Sequence, residues 1–286
     1  MSAPEPGLYL VATPIGNLKD ITLRALEILQ SADLIACEDT RVTGKLIKAH
    51  GIKTPMTPYH EHNAARMRPR LIDAVKGGKA VALVSDAGTP LVSDPGYKLV
   101  QSAITEGLQV TALPGASAAL AGLTVSGLPS DRFMFAGFLP GKSSARKRAL
   151  IDLAAVPATL VVFESARRLA ATLADMAEVL GARPAAVARE LTKLYEEVRR
   201  DPLDALAAHY RAAGAPKGEV VIVIGPPEQA TMEIGTTELD ERLRAALEDA
   251  SLRDAVAAVT RETGLKRQVV YARALELTAP GRGGGR

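Results

Sequence analysis

The chain has 286 residues, 47% of them hydrophobic and only 3% aromatic, which exceeds an ordinary single domain and fits two compact ones with Leu, Val, Ile and Ala cores plus a tail. One cysteine excludes an intramolecular disulfide and a cysteine-based zinc site, and the lack of tryptophan excludes Trp stacking on a base. A net charge of +3 permits an anionic partner without demanding one.

Met1-Ser2-Ala3-Pro4-Glu5 lacks the basic-then-apolar pattern of a secretory signal, and no apolar stretch reaches the ~18 residues of a membrane span. A cytoplasmic protein is expected. Residues 7–118 then alternate short apolar runs with helical patterns. Strands are predicted over 8–12, 34–37, 56–59, 81–85 and 109–113. Helices are predicted over 22–31, opened by Thr22, and over 64–76, closed by Gly77-Gly78. Such alternation argues for a mostly parallel sheet covered on both faces. Cys37, inside the second strand, reads as a buried structural cysteine rather than a nucleophile.

Near Leu128-Pro129-Ser130-Asp131 the pattern restarts, with strands expected over 133–138, 159–164, 185–190, 193–199 and 219–224. The run 194–199 carries charge beside apolar residues, as an exposed antiparallel or edge strand would. A mixed sheet follows. Pro226-Pro227-Glu228-Gln229 reads as a linker, 238–277 as helical, and Gly281 to Arg286 as a disordered basic tail. The expected division is therefore 1–119, 120–226, 227–280 and 281–286.

Three predicted strands break into turn-rich loops: Thr13-Pro14-Ile15-Gly16-Asn17, Ser85-Asp86-Ala87-Gly88-Thr89-Pro90 and Pro114-Gly115-Ala116-Ser117. Ligands of open α/β sheets bind in the crevice at the carboxyl ends of strands, where glycine lets backbone approach closely. Each loop alone reads as a plain turn; together they argue for one small-molecule pocket with Asp86 as a rare charge. The G-x-G-x-x-G fingerprint is absent. Gly137-Phe138-Leu139-Pro140-Gly141-Lys142-Ser143 fails as a phosphate loop, because it is one residue short and Pro140 lacks an N–H. His60-Glu61-His62 offers no third ligand, so no metal is expected.

Glu38-Asp39-Thr40-Arg41 and Tyr59-His60-Glu61-His62-Asn63 load two neighbouring strand ends with acids and imidazoles. They read as helix caps or as a functional rim. Lys142, Arg146, Lys147 and Arg148 follow a strand end without an intervening acid, which suits contact with an RNA phosphate backbone.

Several stretches together resemble one family: Leu8 to Leu18 with Asp20-Ile21-Thr22, Cys37 to Arg41, Val84 to Pro90 with Ser93-Asp94-Pro95-Gly96, and Leu128 to Phe133. Phe163-Glu164-Ser165, Arg189 to Lys193 and Lys217-Gly218-Glu219 continue the likeness. The chain is similar to the ribosomal RNA branch of the tetrapyrrole methylase (class III) superfamily from about residue 7 to 226, and more loosely beyond. Ser85-Asp86-Ala87 stands where tetrapyrrole-modifying relatives usually carry Gly-Asp-Pro, in keeping with the RNA branch.

The resemblance implies two αβα domains of tetrapyrrole-methylase type with a small C-terminal helical extension, a homodimer, and S-adenosylmethionine in the cleft between the domains. It implies 2′-O-methylation of a cytidine ribose in the decoding centre of 16S rRNA, on naked rRNA or the 30S subunit. By position, cofactor contacts are expected at Pro14, Ile15, Asp86, Gly88, Thr89, Ser117, Ala118, Phe163, Leu191 and Gly218. A ribose hydroxyl is a poor nucleophile, so a general base is expected, with Glu61, Asp39 and then His60 as candidates because they end strands beside the Asp86 loop. Two alternatives remain: methylation of a tetrapyrrole carbon, and a helix-turn-helix regulator acting through Asp254–Thr260, a turn at Glu262-Thr263-Gly264, and Lys266–Arg273.

Overall fold

The computed structural model describes residues 4–227, 236–265 and 267–278. The chain divides into two compact units, Met1–Pro227 and Glu228–Arg286.

The first unit contains two five-stranded sheets. One is built from β1 (Gly7–Val11), β2 (Leu34–Cys37), β3 (Met56–Pro58), β4 (Ala80–Val84) and β5 (Val110–Leu113) in the order β3-β2-β4-β1-β5, and every pairing is parallel. Strand β4 is buried along its whole length, as expected for a strand covered on both faces. Its side chains alternate with period two. Ala80, Ala82 and Val84 face a cluster holding Ala25 and Leu29 of α1 (Leu23–Ser31) with Leu46 and Ile47 of α2 (Thr40–Ala49). Val81 and Leu83 face Leu71 and Val75 of α3 (Ala64–Lys76) with Leu99 of α4 (Tyr97–Thr105). Thr22 starts α1 by accepting the Ala25 N–H at 3.2 Å.

Chain direction in this sheet fixes where a crevice opens. From β1 the chain crosses β4 to reach β2; from β4 it crosses β1 in the opposite direction to reach β5. Right-handed crossovers then put α1 and α4 on opposite faces, leaving a gap at the carboxyl ends of β1 and β4.

The second sheet comprises β6 (Phe133–Phe138), β7 (Thr159–Ser165), β8 (Pro184–Arg189), β9 (Glu197–Pro202) and β10 (Glu219–Ile224), ordered β6-β7-β10-β8-β9. Only β6 and β7 run parallel, so the sheet is mixed as expected. One face packs against α6 (Ser143–Ala154), α7 (Leu169–Leu180) and α8 (Leu203–Ala213) through Leu150, Leu173, Met176 and Leu206. The other is covered by α5 (Ala118–Ser126), whose Gly122 lies so near β10 that a Cβ would stand 2.7 Å from Val221 Cγ1. Arg200 on β9 ties the end of α5 by donating to the carbonyls of Val125 and Ser126. The sequence division at 119/120 falls in the first turn of α5, and both sheets lie within one compact unit.

One strand differs from expectation. Of the run 193–199 only Glu197 to Arg199 are strand; β9 begins at Glu197, on the sheet edge and antiparallel to β8. Left-handed backbone at Glu190 (φ 51°) and Thr192 (φ 65°) turns the chain away after β8, and Leu194 and Tyr195 stand exposed on the loop. Strand β3 likewise ends at Pro58, and His60 to Asn63 form a turn.

The second unit holds α9 (Thr236–Asp249), α10 (Leu252–Thr263) and α11 (Arg267–Thr278) around Leu243, Val256, Val259 and Val270. Gly264 closes α10 in the left-handed region, and Arg273 grips Asp240 through two bonds of 2.6 and 2.7 Å. Lys266, Glu228-Gln229 of the expected linker and the expected tail Gly281–Arg286 lie outside the described residues. Among the described residues no helix is long and apolar enough to cross a membrane.

Arg146 of α6 is buried and paired with Asp175 of α7, Nε–Oδ2 at 2.8 Å and Nη2–Oδ2 at 2.6 Å. Removing one member of such a pair strands the other charge away from water. Asp175→Ala is expected to cost about 3–5 kcal/mol. The exposed Arg148→Ala is expected to stay within about 0.5 kcal/mol. Urea denaturation of both variants checks the contrast.

Candidate functional site

The three strand-end loops of the first sheet are laced together by main chain. Thr13 and Gly88 exchange N–H···O bonds of 2.9 and 3.0 Å, forming an isolated antiparallel bridge. Thr13 Oγ1 donates to the Ser85 carbonyl at 3.1 Å, and Ser85 Oγ donates to that of Gly88 at 3.1 Å. Thr89 Oγ1 donates to the Ala116 carbonyl at 3.2 Å, joining the third loop. Two glycines permit this closeness: Gly88 has φ +82°, and a Cβ on Gly115 would stand 2.8 Å from that of Ala12.

Above this floor lies a cavity of about 770 Å³ between the two sheets, within the range of small-molecule sites. Of the ten residues expected to contact cofactor, Ile15, Asp86, Gly88, Thr89, Ser117, Ala118, Phe163, Leu191 and Gly218 line it. Pro14 lines instead a smaller cavity of about 350 Å³ that shares Ile15, Asp86 and Ala87 with the main one. The second-sheet wall is largely apolar, with the Phe138 and Phe163 rings edge-to-face at 5.6 Å. Beneath Phe163, the fully buried Glu164 carboxylate is satisfied by the Ser165 N–H at 2.7 Å, Thr172 Oγ1 at 2.6 Å and Arg168 Nη2 at 3.0 Å.

A clasp joins the sheets beside the cavity. The Asn17 N–H donates to Thr192 Oγ1 at 3.1 Å, and Gly16 lies against Lys193. Lys193 Nζ in turn donates to Glu190 Oε1 and Glu219 Oε2, each at 2.9 Å. The Lys193 ammonium holds the Glu190 carboxyl below the usual range.

The three candidate bases fare differently. Asp39 caps α2, accepting the Arg41 N–H at 2.8 Å, and its carboxylate is clamped by the Arg41 guanidinium, Oδ2–Nη2 at 2.6 Å. Those bonds lower its pKa to about 2, so it is a weak base; its contribution to the site is its own N–H, which donates to Asp86 Oδ1 at 3.0 Å. Glu61 is exposed in the 60–63 turn and lines neither cavity. His60 is half-buried in that turn, its Nδ1 without a hydrogen-bond partner among the described residues, and it too lines neither cavity. Cys37 is a buried free thiol whose pKa is raised by desolvation, in keeping with a structural role.

Two carboxylates that reach the cavity stand in motifs of the sequence but were not among the candidate site residues. Glu38 lines it from the end of β2, where burial and then the charge of Asp86 raise its pKa. Asp94 lines it from the loop before α4, its pKa raised to about 6 by burial first and then by Glu38, with Asp86 adding to it. The signal for Asp94 was a second acid in a Pro/Gly-rich stretch directly after the Asp86 loop.

The basic run is also corrected. Arg146 is buried on Asp175, and Lys147 is tied to Glu178 at 2.6 Å. Lys142 and Arg148 remain exposed. The cations that reach the cavity are Arg167 and Lys217, both exposed on the second-sheet side.

Residues 7–207 match the tetrapyrrole (corrin/porphyrin) methylase family, and 233–278 match the RsmI C-terminal HTH domain. The chain is 55% identical to ribosomal RNA small subunit methyltransferase I of Mesorhizobium japonicum, over 96% of this chain and 92% of that one. It is 43% identical to the protein of the same name from Escherichia coli O157:H7, over 94% of each. Among solved structures, cobalt precorrin-4 methyltransferase superposes with a TM-score of 0.57 at 20% identity, covering 76% of this chain and 94% of that one. Uroporphyrin-III C-methyltransferase from Thermus thermophilus, complexed with S-adenyl homocysteine, gives 0.54 at 20% identity, covering 77% and 97%. These two likenesses are of fold.

Gly218 has φ +94°, and a Cβ there would stand 2.0 Å from the anchored Glu190 Oε1. Gly214 has a similar φ of +79° with nothing within 4 Å. Gly218→Ala is expected to lower stability by about 1–3 kcal/mol, and by more than Gly214→Ala, which meets only the backbone strain. Urea denaturation separates the two.

Proposed function

Because the chain belongs to the tetrapyrrole methylase family, and within it to the ribosomal RNA small subunit methyltransferase I group, we propose that it 2′-O-methylates a cytidine ribose in the decoding centre of 16S rRNA. S-adenosylmethionine is the methyl donor in this reading. The observation that carries it is the cavity between the sheets, which is built for a molecule of two characters. Its first-sheet side presents Glu38, Asp86 and Asp94, suited to the sulfonium and ammonium charges of the cofactor. Its second-sheet side presents Phe138, Phe163 and Leu191, suited to an adenine face. The Ser117 and Thr89 hydroxyls and the backbone of Gly88 and Gly218 complete the set expected to hold it.

Bound there, S-adenosylmethionine supplies an electrophilic methyl on a positively charged sulfur. The chain's own part is largely alignment, which is worth several kcal/mol when two reactants are held in attack geometry. The laced loops fix the floor, and the Lys193 clasp fixes the distance between the walls. Arg167 and Lys217 give the rim two positive charges for RNA phosphates. The proposal extends to a cytoplasmic homodimer acting on 16S rRNA or on the 30S subunit.

Methylation of a tetrapyrrole carbon fits less well, since three carboxylates on one wall repel a macrocycle that itself bears carboxylates. A DNA regulator fits less well too, because it gives the cavity no role.

Reverse-transcription mapping of rRNA from cells with and without the protein is expected to find one cytidine 2′-O-methyl that depends on it. Purified protein is expected to label 30S subunits or 16S rRNA, and not a uroporphyrinogen-like substrate; the converse would overturn the reading. The double variant Arg167→Ala/Lys217→Ala is expected to weaken RNA binding and to flatten the log–log salt slope by roughly 0.7 for each lost contact. Arg146→Ala should instead act through stability, read from binding isotherms across a salt series beside thermal melts.

A further inference from the structure

The reading above needs an acceptor for the ribose hydroxyl proton, and the residues that strand position favoured do not supply one. Among the described residues, the only non-glycine residues with positive φ are Leu91 (74°), Ser93 (66°), Glu190 (51°) and Thr192 (65°). They form two pairs, one flanking Leu191 and the other just before Asp94, and both loops line the cavity. Backbone held in a sparsely populated region persists only where its surroundings over-determine it, and it concentrates at functional sites.

The 91–96 loop is held at two points, Gly96 and Ser93. Gly96, at φ +138°, leaves no room for a side chain, since a Cβ would stand 2.9 Å from Leu83 Cδ2 of β4. At the other side Ser93 reaches the β6 bulge, where a Cβ on Gly137 would stand 3.5 Å from Ser93 Oγ. The loop therefore spans from the first sheet to the second across the cavity. Asp94, half-buried, is the carboxylate that it contributes to the lining.

We propose that Asp94, fixed in the cavity wall by this strained loop, is the general base that takes the ribose hydroxyl proton. This deepens the rRNA methylation reading and rests on it. As the 2′-oxygen lone pair forms the bond to the methyl carbon, the carbon–sulfur pair stays on sulfur, and the hydroxyl proton goes to the Asp94 carboxylate. The proton then leaves to solvent. Asp94 faces Glu38 from the end of β2, Asp86 and the Ser85 hydroxyl after β4, with Glu164, Arg167, Lys217 and Glu219 also lining the cavity from the second sheet. Burial and the two carboxylates bring it to about 6, where it is ionised at neutral pH yet far more basic than Asp39. No other carboxyl lining the cavity combines those properties with a strained loop.

The test compares wild type, Asp94→Asn, Asp94→Glu and Glu38→Gln. Single-turnover methyl transfer to 30S subunits, with both substrates saturating, is expected to fall about 10²–10⁴-fold in Asp94→Asn and less in Asp94→Glu. The wild-type rate is expected to drop as pH falls below about 6, and Asp94→Asn is expected to lose that acidic limb. Carbon-13 NMR of the ligand-free protein reads the group without turnover, with one side-chain carboxyl titrating near pH 6 that is missing in Asp94→Asn. In Glu38→Gln the Glu38 repulsion is gone while burial and Asp86 remain, so both the limb and the NMR titration are expected to move part of the way to lower pH. Should Asp94→Asn fail to fold, the Glu38→Gln shift decides, and an unmoved limb overturns the assignment. Near-normal single-turnover rates in Asp94→Asn with the limb intact also overturn it, leaving the methyltransferase reading in place. Wild type that labels no rRNA overturns both.

Discussion

The two main-chain hydrogen bonds between Thr13 and Gly88 are the contact on which the rest of the site depends. They join the carboxyl ends of β1 and β4, the one place in the parallel sheet where chain direction forces an opening. Once these ends are fixed, the Ser85 and Thr13 hydroxyls have carbonyl partners and Thr89 reaches the third loop. Asp86 then sits where the Asp39 N–H meets its carboxylate. Glycine at 88 and 115 is the local condition for that lacing, because residue 88 holds a left-handed φ of +82° and a Cβ at 115 would stand 2.8 Å from that of Ala12.

A division of chemistry between the walls follows from the two sheets' different construction. The parallel sheet brings its strand ends together on one edge, so acids that terminate β2 and β4, Glu38 and Asp86, become neighbours, and Asp94 joins them from the next loop. The mixed sheet presents a face rather than an edge, so it contributes the apolar side chains of β6, β7 and the residues after β8, with Arg167, Lys217 and Glu219 as charged residues beside them. Such a cavity favours a ligand that is cationic at one end and flat and apolar at the other.

Buried charges serve the fold. Glu164, at the cavity wall, and Arg146, away from it, each have their polar atoms occupied by named partners, Thr172 and Arg168 for one and Asp175 for the other. That explains why a run of cations after β6, which reads as an RNA footprint, is half spent on α7. Fully paired buried ions add little net stability but are costly to break singly. Arg167 and Lys217, which are separated by 50 positions in sequence, reach the cavity through folding rather than clustering.

The amino-acid sequence by itself determined the alternating elements, the parallel first sheet, the mixed second one and the helical C-terminal unit, because each rests on periodicity and turn chemistry within a short window. Of the ten residues it assigned to the cofactor, through strand-end loops and the family likeness carried by their motifs, nine line the main cavity. Only the tertiary structure decided which ionisable groups are available there. Asp39 and Glu61 satisfy every local criterion for a base, yet one is consumed by Arg41 and the other faces solvent outside the cavity. The start of β9 shifted for a related reason, since the left-handed turns at Glu190 and Thr192 are fixed by contacts with Glu219 and Asn17 across the fold. Asp94 was hidden because basicity depends on burial and on neighbouring charge, and its neighbours Glu38 and Asp86 lie 56 and 8 positions away in sequence. Periodicity is a property of adjacent residues; ionisation is a property of what folding brings beside them.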